Sequence, residues 1–150
     1  MKNMMSQIDN EERQAKIAFY RIIALLFLLL YPMWSVLLYF VMPDEVDDPI
    51  GRITVGVLGG LSYLLSFRYE RIRENLGFIV HFLFWLATAQ FLRLLYLSEL
   101  STVYVIGTLV VAVSLNSGFS DRLAIATYSI AFIAATVVIC VLVDLSLIHI

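Results

Sequence analysis

A histidine inside an apolar run, four carboxylates in one short segment and three arginines in another are the residues of this chain whose types and spacing could do chemistry. Ionisable groups within long apolar stretches are costly unless they serve a site or find a partner, and His81 is the main one. Helical spacing puts Trp85 at i+4 and Thr88 at i+7 on its face and Gln90 at i+9 on the opposite side. An imidazole there could titrate near neutral pH or ligate a metal or haem. A haem or metal site needs a second histidine or a carboxylate at the same depth, and the neighbouring apolar runs supply none. His81, Trp85 and Thr88 therefore stand as a candidate signal-sensitive group, with a satisfied packing histidine as the plainer alternative.

Asp44, Glu45, Asp47 and Asp48 form the densest like-charge group, flanked by Pro43 and Pro49. They could offer oxygen ligands to a hard cation, but the segment lacks the glycine turn and spaced ligands of a dedicated calcium loop. It reads as a solvated loop between two prolines. Arg68, Arg71 and Arg73 lie in a basic loop with Glu70 and Glu74; they read as a topology determinant that also favours anionic head groups. There is no phosphate-binding glycine loop with lysine, no His-Glu-x-x-His helix, no Ser/His/Asp set and no pair of intramembrane acids. Cys140, the single cysteine, has no intrachain disulfide partner and no Cys/His spacing for a metal. No catalytic, cofactor or metal residues are assigned.

The elements that must position these groups follow from composition. Of 150 residues, 61% are hydrophobic and 15% charged, with a mean hydropathy of +0.91. Soluble domains carry roughly 45–50% and 25%. The chain is expected to be an all-α, polytopic transmembrane helix bundle. The net charge of -2 gives no reason to expect a nucleic-acid partner. Ile22–Met42 is a first span, with Pro32 inside it and no cleavage site after it. Further spans run from Pro49 to about Phe67, Leu76 to Leu97, Thr102 to Leu115 and Leu123 to Val143, five in all. The fourth is short for a span. Met1–Lys16 is polar and helix-compatible, either an extension of the first helix or a partner-binding stub. The chain divides into a cytoplasmic segment 1–20, a transmembrane domain 21–144 and a tail 145–150.

With the N-terminus inside, eight of the ten basic residues fall on the cytoplasmic side of the membrane. Five spans then leave the C-terminus outside. Leu145-Ser146-Leu147-Ile148-His149-Ile150 resembles the translated sequencing-adapter scar that ends many incomplete metagenomic frames. The tail is therefore expected to be non-native, with a sixth span lost by truncation, against a native short C-terminus as the alternative. His149 is set aside.

Small residues give a packing signal. Gly56 and Gly60 make a Gly-x-x-x-Gly spacing, continued by Ser62 and Ser66; Thr127, Ala131 and Ala135 repeat at the same interval in the last span. Such stripes let helix backbones approach closely, within one chain or across a homodimer. The bilayer is the other partner, and no cofactor is expected.

Tyr31-Pro32, Asp48-Pro49, Ser66-Phe67-Arg68-Tyr69, Tyr104-x-x-Gly107 and Phe119-Ser120-Asp121-Arg122 give the layout of Arg21 to Leu142 a family look. It resembles the N-terminal membrane regions of bacterial sensor histidine kinases and diguanylate cyclases. The resemblance implies six membrane helices followed by cytoplasmic sensory and catalytic domains. It makes the expected function a non-catalytic sensory or input module of a signal-transduction protein. The alternatives are a freestanding membrane protein acting as assembly partner or scaffold, and a small transporter or channel subunit.

Overall fold

The computed structural model describes the backbone of residues 2–102, 104–107 and 122–148, and the side chains of 10–102, 104–107 and 125–144. The described residues are helical apart from short links, with no strand among them. The elements are α1 (Lys2–Val41), α2 (Pro49–Arg68), α3 (Glu70–Glu74), α4 (Leu76–Leu97) and α5 (Arg122–Ile148). Among the described residues, four stretches are long and apolar enough to cross a membrane: Asn10–Val41, Pro49–Arg68, Leu76–Leu97 and Ile125–Asp144. The expected fourth span, Thr102 to Leu115, lies for most of its length outside the described residues, of which 104–107 are helical.

Local chemistry explains the boundaries. Asp48 caps α2, its Oδ1 accepting from the Gly51 N–H at 3.0 Å, and Pro49 takes the first turn, where a missing N–H costs nothing. Tyr69 adopts an extended backbone (φ -112°, ψ 118°) and separates α2 from α3. Helix α1 begins well before the apolar run, because no glycine or proline interrupts residues 2–20, and it continues through Pro32. Within the apolar helices, the Thr54, Ser62 and Thr136 hydroxyls donate to the carbonyls four residues earlier at 2.8, 2.7 and 2.9 Å. That satisfies each polar group inside its own helix.

The chain forms two compact units. The first holds residues 1–43 and 48–85, that is α1, α2, α3 and the first half of α4. Here α1 and α2 run antiparallel, with Gly56 against Pro32, Gly59 against Ala24 and Phe27, and Gly60 against Leu28. Helix α4 follows α1 in the same direction, Gly77 lying under the Tyr20 ring and Phe84 meeting Phe27 edge-on at 5.0 Å between ring centres. Ala24, Phe27, Val55, Leu76, Val80 and Leu83 are buried in this unit. The second unit holds residues 44–47 and 86–150. It buries Phe91, Leu94, Leu95, Tyr104, Tyr128 and Phe132. Residues 44–47, which join α1 to α2 in the chain, belong to this second unit.

Candidate functional site

His81 sits on α4 with its Nδ1 bonded to the Gly77 carbonyl one turn earlier. A carbonyl can only accept, so that bond puts the proton on Nδ1 and leaves Nε2 as the acceptor of the neutral ring. The Tyr20 ring lies 6.0 Å from the imidazole, centre to centre. It is seated there because Gly77 presents no side chain; a Cβ at that position would stand 3.0 Å from the ring. Trp85, the i+4 neighbour, is 41% exposed. Thr88 belongs to the second unit, where its hydroxyl shares a buried hydrogen bond of 2.7 Å with the Tyr128 hydroxyl. The three residues expected to act together thus include one with a polar partner of its own on α5.

Arg21 makes the most elaborate polar contact of the first unit. Its Nε donates to Ser66 Oγ at 2.9 Å, its Nη2 to the Ser66 carbonyl at 2.8 Å, and its guanidinium carbon stands 3.9 Å from the centre of the Phe67 ring. Ser66 Oγ in turn donates to the Tyr63 carbonyl at 2.7 Å. A planar fork matches two acceptors at once and stacks on an aromatic face, which an ammonium cannot do. Ser66, picked out as a small packing residue, is buried, and its oxygens are the acceptors that hold α1 to the end of α2. Close by, Arg13 pairs with Glu74 at 2.6 Å and Arg73 with Glu70 at 3.0 Å. Arg68 and Arg71 are exposed.

Gly56 and Gly60 both face α1, and so does Gly59, which a spacing of four overlooks. Ser62 is half-buried and turned to its own helix carbonyl. On α5, Thr127 and Ala131 are exposed and Ala135 is half-buried. Arg52, near the start of α2, is fully buried, its guanidinium carbon 5.5 Å from the centre of the Tyr31 ring, a cation over an aromatic face.

The acidic link is more than a solvated loop. Within the second unit, Ser101 Oγ donates to Glu45 Oε1 at 2.8 Å. The Tyr104 hydroxyl donates to the Val46 carbonyl and stands 3.3 Å from Asp47 Oδ1. Tyr104 is 1% exposed and meets Phe91 edge-on, and Phe91 lies under Gly107. The link is thus hooked onto the segment that follows α4. The turn between them carries two consecutive residues in the left-handed region, Glu99 (φ 51°) and Leu100 (φ 63°). Each costs roughly 1–2 kcal/mol in a non-glycine residue. The turn is held by the Leu100 N–H on the Leu95 carbonyl at 3.0 Å and the Glu99 N–H on the Tyr96 carbonyl at 3.2 Å.

Compared with protein-family models, curated proteins and solved structures, the chain matches none. Among the described residues, no group of three or more His, Cys, Asp or Glu side chains is placed to hold a metal. Three of the four carboxylates, Glu45, Asp47 and Asp48, are met by a hydroxyl, a phenol and a backbone N–H of the helix they cap, while Asp44 is exposed. What the polar groups do is join helices and links to one another: Arg21 to α2, Tyr104 to the α1–α2 link, Thr88 to Tyr128.

Proposed function

We propose that this chain is the membrane-embedded sensory or input module of a bacterial signal-transduction protein, non-catalytic in itself. The observation that carries the proposal is the hydrogen bonding, within the second unit, of residues 44–47, which connect α1 to α2 in the chain, by Ser101 and Tyr104. A cue that releases or tightens that hook biases which packing of the helices is populated, and a ligand shifts such an equilibrium only by its differential affinity for the two states. In the proposed topology the N-terminus is cytoplasmic, the acidic link faces outward, five helices span the inner membrane, and a sixth returns the chain to a cytoplasmic output domain. The basic residues of the N-terminal segment and of the α2–α4 link support that orientation.

The test is to read the coding DNA continuously through the codon for Val143 and several hundred bases beyond. A frame that runs on into a sixth apolar span and a cytoplasmic domain is the expected result, and that domain names the output. A native stop after Ile150 would overturn the proposal. The exposed Thr127 and Ala131 of α5 favour a second reading, a freestanding assembly partner that receives another helix on this face. Crosslinking in native membranes that yields only monomers would count against it.

A further inference from the structure

Where α2 stops and α3 begins, the cationic side chains divide into those already held and those left over. Arg13 is on Glu74, Lys16 on Glu12, Arg73 on Glu70, and Arg21 places its fork on Ser66. Two carbonyls of the last turn of α2 are also served, Ser66 by Arg21 and Leu65 by the Tyr69 N–H at 2.9 Å. Arg68 and Arg71 are exposed, and neither has an acidic partner among the described residues. They stand on either side of the extended Tyr69. Large apolar side chains crowd the same place: Leu64 is 62% exposed, Phe67 56% and Tyr69 50%.

Depth sets what can reach them. The 20 residues of α2 rise about 30 Å at 1.5 Å each, the thickness of the hydrocarbon core. Arg68, the last of them, therefore stands at the level of the head groups when α2 spans. A free phosphate ion has no use for exposed leucine and aromatic surface, whereas a phospholipid covers it with glycerol and acyl chain. We propose that Arg68 and Arg71 bind the phosphate-bearing head group of an anionic phospholipid, with Leu64, Phe67 and Tyr69 against its apolar part. Two forks that can each take two phosphate oxygens supply the charge and the geometry. The site requires only that α2 span the membrane, and it holds whether or not the bundle relays a signal.

The experiment reconstitutes the full chain into phosphatidylcholine vesicles doped with spin-labelled phosphatidylglycerol or spin-labelled phosphatidylcholine. The motionally restricted fraction of each probe is read by electron spin resonance. The wild type should prefer phosphatidylglycerol at low salt, each arginine contributing roughly fivefold at most. The R68Q/R71Q double variant should lose most of that preference, and R68K/R71K should keep a large part of it. A wild type that restricts both probes equally overturns the proposal, and so does a double variant that keeps the full preference. Loss of the preference on adding inorganic phosphate at constant ionic strength would also overturn it, because it would mark a free-anion site. Should the glutamine variant fail to fold, salt on the wild type decides. The preference should fall steeply towards about 0.5 M salt, where charges are screened within a few Å, and a salt-independent preference refutes the site.

Discussion

Alanine at each of the three glycines on α2 that face α1 would strike something different, and the outcome separates close backbone approach from mere smallness. At Gly59 the added carbon would lie 2.8 Å from the Ala24 carbonyl oxygen and 2.8 Å from Phe27 Cβ. Both atoms are fixed to the α1 backbone, and carbon contacts are normally about 3.5–4.0 Å, so the helices must part by several tenths of an ångström. Overpacking of this kind costs about 1–3 kcal/mol, while alanine gains up to about 1 kcal/mol over glycine in a helix. The net for G59A is a loss of up to about 2 kcal/mol. At Gly60 the same carbon meets Leu28 Cδ1 at 2.9 Å and Cδ2 at 3.1 Å, the far end of a side chain that can swing away, so G60A is neutral or up to about 1 kcal/mol more stable. G56A meets Pro32 Cγ at 2.7 Å, on a ring whose pucker yields a little, and falls between them. The assay is reversible unfolding of the full chain in mixed micelles as the fraction of denaturing detergent rises, followed by circular dichroism. A G59A variant as stable as G60A, or more so, would refute the reasoning.

Other contacts make equally definite expectations. Thr88→Val and Tyr128→Phe should each destabilise the same unfolding transition, and the double variant should fall short of their sum by roughly 0.6–1.7 kcal/mol, the range of buried hydrogen bonds between membrane helices; strict additivity would deny the bond. Arg21→Lys should cost about 1–2 kcal/mol despite conserved charge, because an ammonium cannot reproduce the fork on Ser66 or the stacking on Phe67, and an unchanged midpoint would count against that role. Tyr104→Phe removes only the hydroxyl on Val46, so amide exchange across residues 44–47 should quicken roughly fivefold, the equivalent of one hydrogen bond; protection equal to wild type would mean that the hook does not hold the link.

How much of this was legible beforehand depended on the range of the interaction. Helix α4 spans Leu76–Leu97, the limits of an apolar run between Asn75 and Ser98, and Asp48-Pro49 announces the start of α2 through cap and first-turn chemistry. The start of α1 was legible only as one of two readings of Met1–Lys16, an extension of the first helix, because hydropathy marks where lipid lies and not where a helix begins; residues 2–20 hold nothing that stops one, and α1 runs from Lys2. The pair Gly56 and Gly60 drew attention through a spacing of four, yet Gly59, three residues after Gly56, shares their face and meets backbone. Nothing local to Arg52 announces its complete burial beside the Tyr31 ring, which depends on the fold. The hook of Tyr104 on Val46 had no local signal at all, since neither residue is unusual and the turn at Glu99 and Leu100 lacks the glycine that normally advertises a left-handed backbone.

The hook also sets a timetable. Glu45, Val46 and Asp47 find their partners 56 to 58 residues further along the chain. At synthesis rates of about 5–20 residues per second, Val46 waits roughly 3–12 s for Tyr104 to emerge. Ala24 and Gly59 are closer in sequence, so α1 and α2 can zip together during that wait, with the glycine face of α2 already against α1. The nascent protein therefore passes through a stage in which a closed helix pair carries an acidic link with no hydroxyls on it. The link is fixed only once Ser101 and Tyr104 reach it, so it is the last part of that helix pair to be tied down.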